Sequence, residues 1–231
     1  MERFKCVLFD LDGTLVTTGG AGVRALVLAF LELFGVKNSM KGIQPAGKTD
    51  PVIIREIFQI NLGRGCTAGE QAAVQDKYLG FLGAECEKAE DYRVMEGIPE
   101  ILRDLMAKKV LLGLGTGNLE RGARTKLSRG GLNPFFPFGG FGSDSEDRGE
   151  ILKIGFQKAQ EHADVSLRPE DVFIVGDTEL DILAARRAGF RVIAVATGGS
   201  SEEVLKKHRP DFFLKDFENK AEFIRIILNG H

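Results

Sequence analysis

The feature that most restricts this chain is an isolated strand at its start. Lys5 to Phe9 (KCVLF) is a short apolar run that stops abruptly at Asp10-Leu11-Asp12-Gly13. An uninterrupted apolar run of this length reads as a strand buried on both faces. Nothing strand-like is evident between Val16 and Val94, so the strand has no neighbour nearby in sequence with which to pair. Instead, the segment from Ala21 places Val23, Leu26, Val27, Phe30, Leu31 and Phe34 at helical spacing and stops at Gly35. Helical patterns continue at Pro51 to Ile60 and from about Ala68 to Lys88, where Gly80 and Gly83 weaken the helix by about 1 kcal/mol each.

Beyond Glu96-Gly-Ile-Pro99 the pattern becomes strand and helix in alternation. Extended runs at Val110 to Leu114, Phe138 to Phe141, Val172 to Val175, Arg191 to Ala196 and Asp211 to Leu214 are separated or followed by helical stretches. Those stretches are Leu119 to Arg129, Gly149 to Ala163, Leu180 to Ala188, Glu202 to His208 and Asn219 to Leu228, with Pro99 to Lys108 preceding the series. Such alternation implies a parallel sheet covered by helices on both faces, and the first strand must join it. The expected fold is therefore α/β, with a Rossmann-like core formed by residues 1–15 and 95–231. A small all-α cap, residues 16–94, is inserted after the first strand.

In open parallel sheets, ligand-binding groups collect at the carboxyl ends of strands. Here one strand ends in Asp10-Leu-Asp-Gly-Thr14, another in Gly115-Thr-Gly-Asn118 and a third in Gly176-Asp-Thr-Glu-Leu-Asp181. Carboxylates gathered in one crevice repel each other and call for a cation. An all-oxygen donor set favours Mg²⁺, while His162, His208 and His231, the only histidines, offer little support for zinc. A carboxylate is also a nucleophile, so Asp10 is the candidate to attack phosphorus and Asp12 the candidate general acid and base. Thr116 and the backbone around Gly117 and Asn118 suit phosphate oxygens.

These three segments resemble motifs one, two and four of the haloacid dehalogenase-like hydrolase superfamily. The likeness spans the whole chain and leans to its phosphoglycolate-phosphatase-like branch. It implies a Rossmann-like core, an inserted helical cap and an aspartyl-phosphate intermediate. It also assigns Asp10 as nucleophile and Asp12 as acid/base, with Leu11, Thr116, Gly117 and Asn118 at the phosphate. Asp10, Asp177 and the Asp12 carbonyl would hold Mg²⁺, with Asp181 supporting the metal or orienting a lysine or arginine. The third motif departs from the branch, where a lysine precedes a proline-containing turn; here Ser143-Asp-Ser-Glu-Asp-Arg148 supplies Arg148, a bidentate phosphate ligand. Lys153 is the alternative cation. The second aspartate, Asp12, separates phosphate-ester chemistry from dehalogenase chemistry. The expected reaction is hydrolysis of a small phosphate monoester such as a phosphoglycolate-like compound or a sugar phosphate.

A phosphomutase of the β-phosphoglucomutase type is the nearest alternative, and a phospho-aspartate signalling module is an alternative of another class. Receivers, however, have neither a helical cap nor a late GDxxxD motif. Within the cap, Gly47-Lys-Thr-Asp50 can bring Lys48 to the substrate, whereas Asp50 is expected to cap the helix starting at Pro51. Gly19, Gly20 and Gly22 read as a hinge between cap and core. Phe135, Phe136 and Phe138 read as core packing.

Composition excludes several other classes. The 31 basic and 33 acidic residues give a net charge of −2 and favour neither nucleic acid nor an anionic membrane as partner. Three cysteines without CxxC spacing suggest reduced thiols and a cytoplasmic protein. The chain is expected to be a monomer or weak homodimer. Glycine, at 29 of 231 residues, exceeds the usual ~7% and calls for tight turns or close backbone approaches.

Overall fold

The structure is a computed structural model and describes residues 4–230; the first three residues of the expected 1–15 segment, and His231, lie outside the described residues. Six parallel strands form the central sheet: β1 (Cys6–Phe9), β4 (Leu111–Gly115), β5 (Phe138–Gly140), β6 (Val172–Gly176), β7 (Arg191–Val195) and β8 (Phe212–Leu214). Their spatial order is β5-β4-β1-β6-β7-β8. β1 lies between β4 and β6, with Cys6 opposite both Leu111 and Val172. That central position explains its continuous apolar run, because all four of its residues are buried.

The pleat of β1 divides the core in two. Val7 and Phe9 face a cluster with Ile101 and Leu105 of α4 (Ile98–Ala107) and Phe223 and Ile227 of α9 (Lys220–Asn229). Cys6 and Leu8 face a second cluster with Leu152 of α6 (Arg148–Ala163), Ala185 of α7 (Glu179–Ala188) and Leu205 of α8 (Glu202–Lys207). Phe136 packs edge-on to Phe9 with ring centroids 5.9 Å apart, in keeping with a core role. Part of the glycine excess serves these layers. A Cβ on Gly140 would come within 1.9 Å of the Ile151 carbonyl oxygen, so glycine lets α6 lie directly against β5.

Between β1 and α4 the chain leaves the sheet. β2 (Val16–Thr18) pairs antiparallel with β3 (Tyr92–Val94), and this two-stranded ribbon carries α1 (Ala21–Phe34), α2 (Asp50–Leu62) and α3 (Ala68–Lys88). The ribbon corrects the expectation that no strand lies in this region. With only three residues in each strand, it is too short to give an alternating pattern. The three helices enclose their own apolar cluster, in which Phe30 and Phe58 meet edge-on with centroids 5.3 Å apart. Gly80 and Gly83 do not interrupt α3, whose start is fixed by a reciprocal Thr67–Glu70 capping box. Among the described residues no helix is long and apolar enough to cross a membrane.

Candidate active site

β1, β4 and β6 are adjacent, so the segments that follow them share one crevice at the sheet's carboxyl edge. The Asp10 N–H continues the sheet by donating to the Val175 carbonyl at 2.8 Å, which fixes the residue as its carboxylate leaves the strand. Oxygens of Asp10, Asp177 and Asp181, all buried, lie within 4.8 Å of one another. Asp177 accepts hydrogen bonds from the Thr14 hydroxyl at 2.8 Å and from the Gly199 N–H. Asp181 accepts from the Thr178 hydroxyl at 2.6 Å and N–H at 3.1 Å, forming the capping box of α7. Its other oxygen accepts from Arg148, which also reaches Asp10 at 3.5 Å. Asp181 is thus both a helix cap and an anchor for arginine.

Burial, and then the Asp181 carboxylate, raises the Asp10 pKa well above the aspartate range, and Arg148 opposes the shift only in part. For Asp177 the same two causes push the pKa up to about 7. Burial works against the charge of Arg148, but Asp181 and Asp10 outweigh it and raise its pKa. Three buried carboxylates served by one guanidinium leave negative charge uncompensated. Their all-oxygen chemistry fits a hard divalent cation. The Asp12 side chain stands outside this triad, so only its main chain can contribute to a metal there.

Instead, Asp12 Oδ2 accepts from Lys126 Nζ at 2.6 Å and from Asn118 Nδ2 at 3.0 Å. Asn118 also donates to Thr116 Oγ1 at 2.9 Å and accepts from Lys126 at 2.6 Å. Asp10, Asp12, Thr116, Gly117, Asn118 and Arg148 all line one cavity of about 300 Å³, roofed by side chains that include Leu26, Ile53 and Tyr78 of the helical insertion. Leu11 does not line it, because its side chain is buried in the core beneath the sheet edge and only its backbone can serve the site. Lys48 lines the cavity, with its ammonium held by Glu56 at 2.7 Å. Lys153 is half exposed and pairs with Glu150, whereas Arg148, the first residue of α6, turns into the crevice.

The loop before α2 is docked on the loop after β4. The Asp50 N–H donates to the Gly117 carbonyl, and the Leu119 N–H donates to Asp50 Oδ2 at 2.9 Å. Asp50 therefore serves the start of α5 (Glu120–Ser128) and not its own helix, correcting the expected local cap. An N–H across the interface competed successfully for the carboxylate.

Sequence reasoning missed Lys126, Tyr78 and the Gly198-Gly199 turn that contacts Asp177. One signal was available for Lys126. Gly122, Ala123, Lys126 and Leu127 form the buried stripe of α5, where a lysine is out of place unless it is paired.

Comparisons with known proteins agree with this geometry. A family model described as haloacid dehalogenase-like hydrolase matches residues 4–189. The pyrophosphatase PpaX of Bacillus pumilus is 30% identical over 219 residues, covering 93% of each chain. A phosphoglycolate phosphatase of Synechococcus elongatus is 26% identical over 213 residues, covering 91% of this chain and 92% of that protein. Among solved structures, a β-phosphoglucomutase of Clostridium difficile superposes with a TM-score of 0.74 at 18% identity, covering 99% of this chain and 98% of the other.

Proposed function

From the premise that this chain belongs to the haloacid dehalogenase-like hydrolase family, we propose that it is a Mg²⁺-dependent phosphatase acting on a small phosphate monoester through an aspartyl phosphate. The observation that carries this reading is the division of labour between two aspartates. Asp10 is buried against Arg148 and the acidic triad, while Asp12 lies beside the cavity outside that triad.

An Asp10 carboxylate oxygen attacks phosphorus, and the ester P–O bond breaks. The departing oxygen takes a proton from Asp12. Asp12, now ionised, removes a proton from water; the resulting oxygen attacks the same phosphorus and frees Asp10 and inorganic phosphate. Arg148 and Thr116 hold phosphoryl oxygens through both displacements, with the backbone at Gly117 and Asn118 beside them. Asp10, Asp177 and the Asp12 carbonyl would hold Mg²⁺, with Asp181 in support. When bound, the ion would supply positive charge that offsets the carboxylates and the phosphoryl group.

Residues 16–94 act as the cap. Their docked loop closes the cavity over the reacting groups, limiting access of bulk water and selecting the organic part. The relatives named for phosphoglycolate and pyrophosphate, together with the cavity's modest size, favour a small metabolite such as phosphoglycolate or a sugar phosphate. Lys48 stands where it can meet that organic part.

The experiment is a panel of phosphate monoesters assayed with Mg²⁺ and with chelator, alongside Asp10→Asn. Turnover that requires Mg²⁺ and disappears in Asp10→Asn is expected. Full turnover in chelator, or in that variant, contradicts the reading.

A further inference from the structure

Lys126 is a charged residue in a position that helix packing would give to an apolar one. It lies on the inward stripe of α5 between Ala123 and Leu127, with its side chain only 6% exposed. Withdrawing an ammonium from water is costly unless its donors are satisfied. Two are satisfied, by Asp12 Oδ2 and Asn118 Oδ1, each at 2.6 Å. Gly22 of α1 in the insertion lies beside the charge, at a distance where even a Cβ would make only an ordinary contact with Nζ, 3.4 Å. Burial works against the ammonium, but Asp12, Tyr78 and Asp50 more than compensate and raise its pKa.

Asp12 is in the opposite situation. Its side chain is 41% exposed, so packing does little to fix its rotamer. Among the described residues its carboxylate has two hydrogen-bond donors, Lys126 and Asn118, and both take Oδ2. Oδ1 accepts none. Since Lys126 also anchors Asn118, the three side chains form a closed triangle.

We propose that Lys126 is the positioning residue for Asp12: it clamps Oδ2 and thereby leaves Oδ1 as the oxygen that exchanges the proton with the leaving group and with water. The inference rests on the acid/base role of Asp12 given above. Lys126 itself acts through that carboxylate, not on the substrate.

Dependence on the leaving group tests this directly, because kcat/KM reports steps up to departure of the first product. An alkoxide must be protonated as it leaves; 4-nitrophenolate need not be. The comparison is kcat/KM for a primary alkyl phosphate and for 4-nitrophenyl phosphate in the wild type, Lys126→Met and Asp12→Asn. General acid catalysis commonly supplies ~10²–10⁴-fold. Lys126→Met is therefore expected to lower the alkyl value by roughly 100-fold and the aryl value by less than about 5-fold, with Asp12→Asn skewed in the same direction. An equal loss on both substrates, or no loss, in Lys126→Met while Asp12→Asn is skewed overturns the inference alone. An unskewed Asp12→Asn removes the acid/base assignment and the inference with it. If Lys126→Met lacks a cooperative unfolding transition, Lys126→Gln carries the same comparison with the same expected skew.

Discussion

The main-chain N–H of Asp50 donates to the carbonyl oxygen of Gly117 across 2.8 Å, joining the loop before α2 to the loop after β4. The contact is close enough that a Cβ on Gly117 would lie 2.4 Å from the Lys48 carbonyl oxygen and 2.9 Å from the Thr49 Cα. Backbone atoms cannot yield as a flexible side chain would. Gly117→Ala is thus expected to push the two loops apart, costing about 1–3 kcal/mol in denaturant unfolding. It should also lower kcat/KM at least tenfold because the cavity no longer closes.

The Asp50 carboxylate gives that junction a pH dependence. Burial is the main cause that pushes its pKa up to about 6, opposed by Lys126 and by the Leu119 N–H. The folded chain thus holds this proton at pH values where the unfolded chain, near 3.8, has lost it. Stability from this residue is greatest below pH 3.8 and declines as pH rises towards about 6. The decline amounts to roughly 3 kcal/mol at most. Asp50→Asn retains an oxygen that can accept from Leu119 and does not titrate. Unfolding free energies measured in chelator at several pH values should show the variant gaining on the wild type from pH 4 to pH 7, and a constant difference would refute the shift.

Arg148 and Lys153 are five residues apart but face different surroundings. Arg148 sits between Asp10 and Asp181, whereas Lys153 makes an exposed pair with Glu150 at 2.7 Å. Removing a charge that stabilises a transferring phosphoryl group commonly costs ~10²–10³ in rate. Exposed pairs contribute about 0–1 kcal/mol to stability and nothing here to chemistry. Arg148→Ala should lose at least 100-fold in kcat/KM, on the order expected for such a group. Lys153→Ala should retain wild-type kinetics.

The acidic triad predicts metal-linked stability. An ion bound by the folded chain alone at 100 times its dissociation constant adds about 2.7 kcal/mol. Adding Mg²⁺ to chelator-treated protein should raise Tm, and Asp177→Asn should largely abolish the increase. A calcium control distinguishes a small octahedral site from a general response to divalent charge.

Features confined to one stretch of chain were legible in the sequence. The apolar run at β1 implied a buried strand belonging to the parallel sheet, and carboxylates immediately after strands implied a common edge, because strand period and strand direction are local properties. Arg148 was legible for the same reason, since it opens a helix. Lys126 and Asp50 were harder. Their partners are 114 and 69 residues away, and only folding reveals that one serves Asp12 and the other an N–H of Leu119. The β2–β3 ribbon escaped because three-residue strands carry too little pattern. The purpose of Gly140 likewise depends on the fold, because it lies where α6 packs directly against β5.

In the proposed mechanism phosphorus is attacked twice, first by Asp10 and then by water. Each in-line displacement inverts configuration at phosphorus, so two in succession restore it, whereas a single attack by water leaves it inverted. The most direct measurement is the steric course of hydrolysis, in isotopically labelled water, of a phosphorothioate monoester made chiral at phosphorus by sulfur and two oxygen isotopes, read from the configuration of the inorganic thiophosphate, whose three oxygens are then three different isotopes. Net retention is predicted; net inversion would contradict an aspartyl phosphate on Asp10.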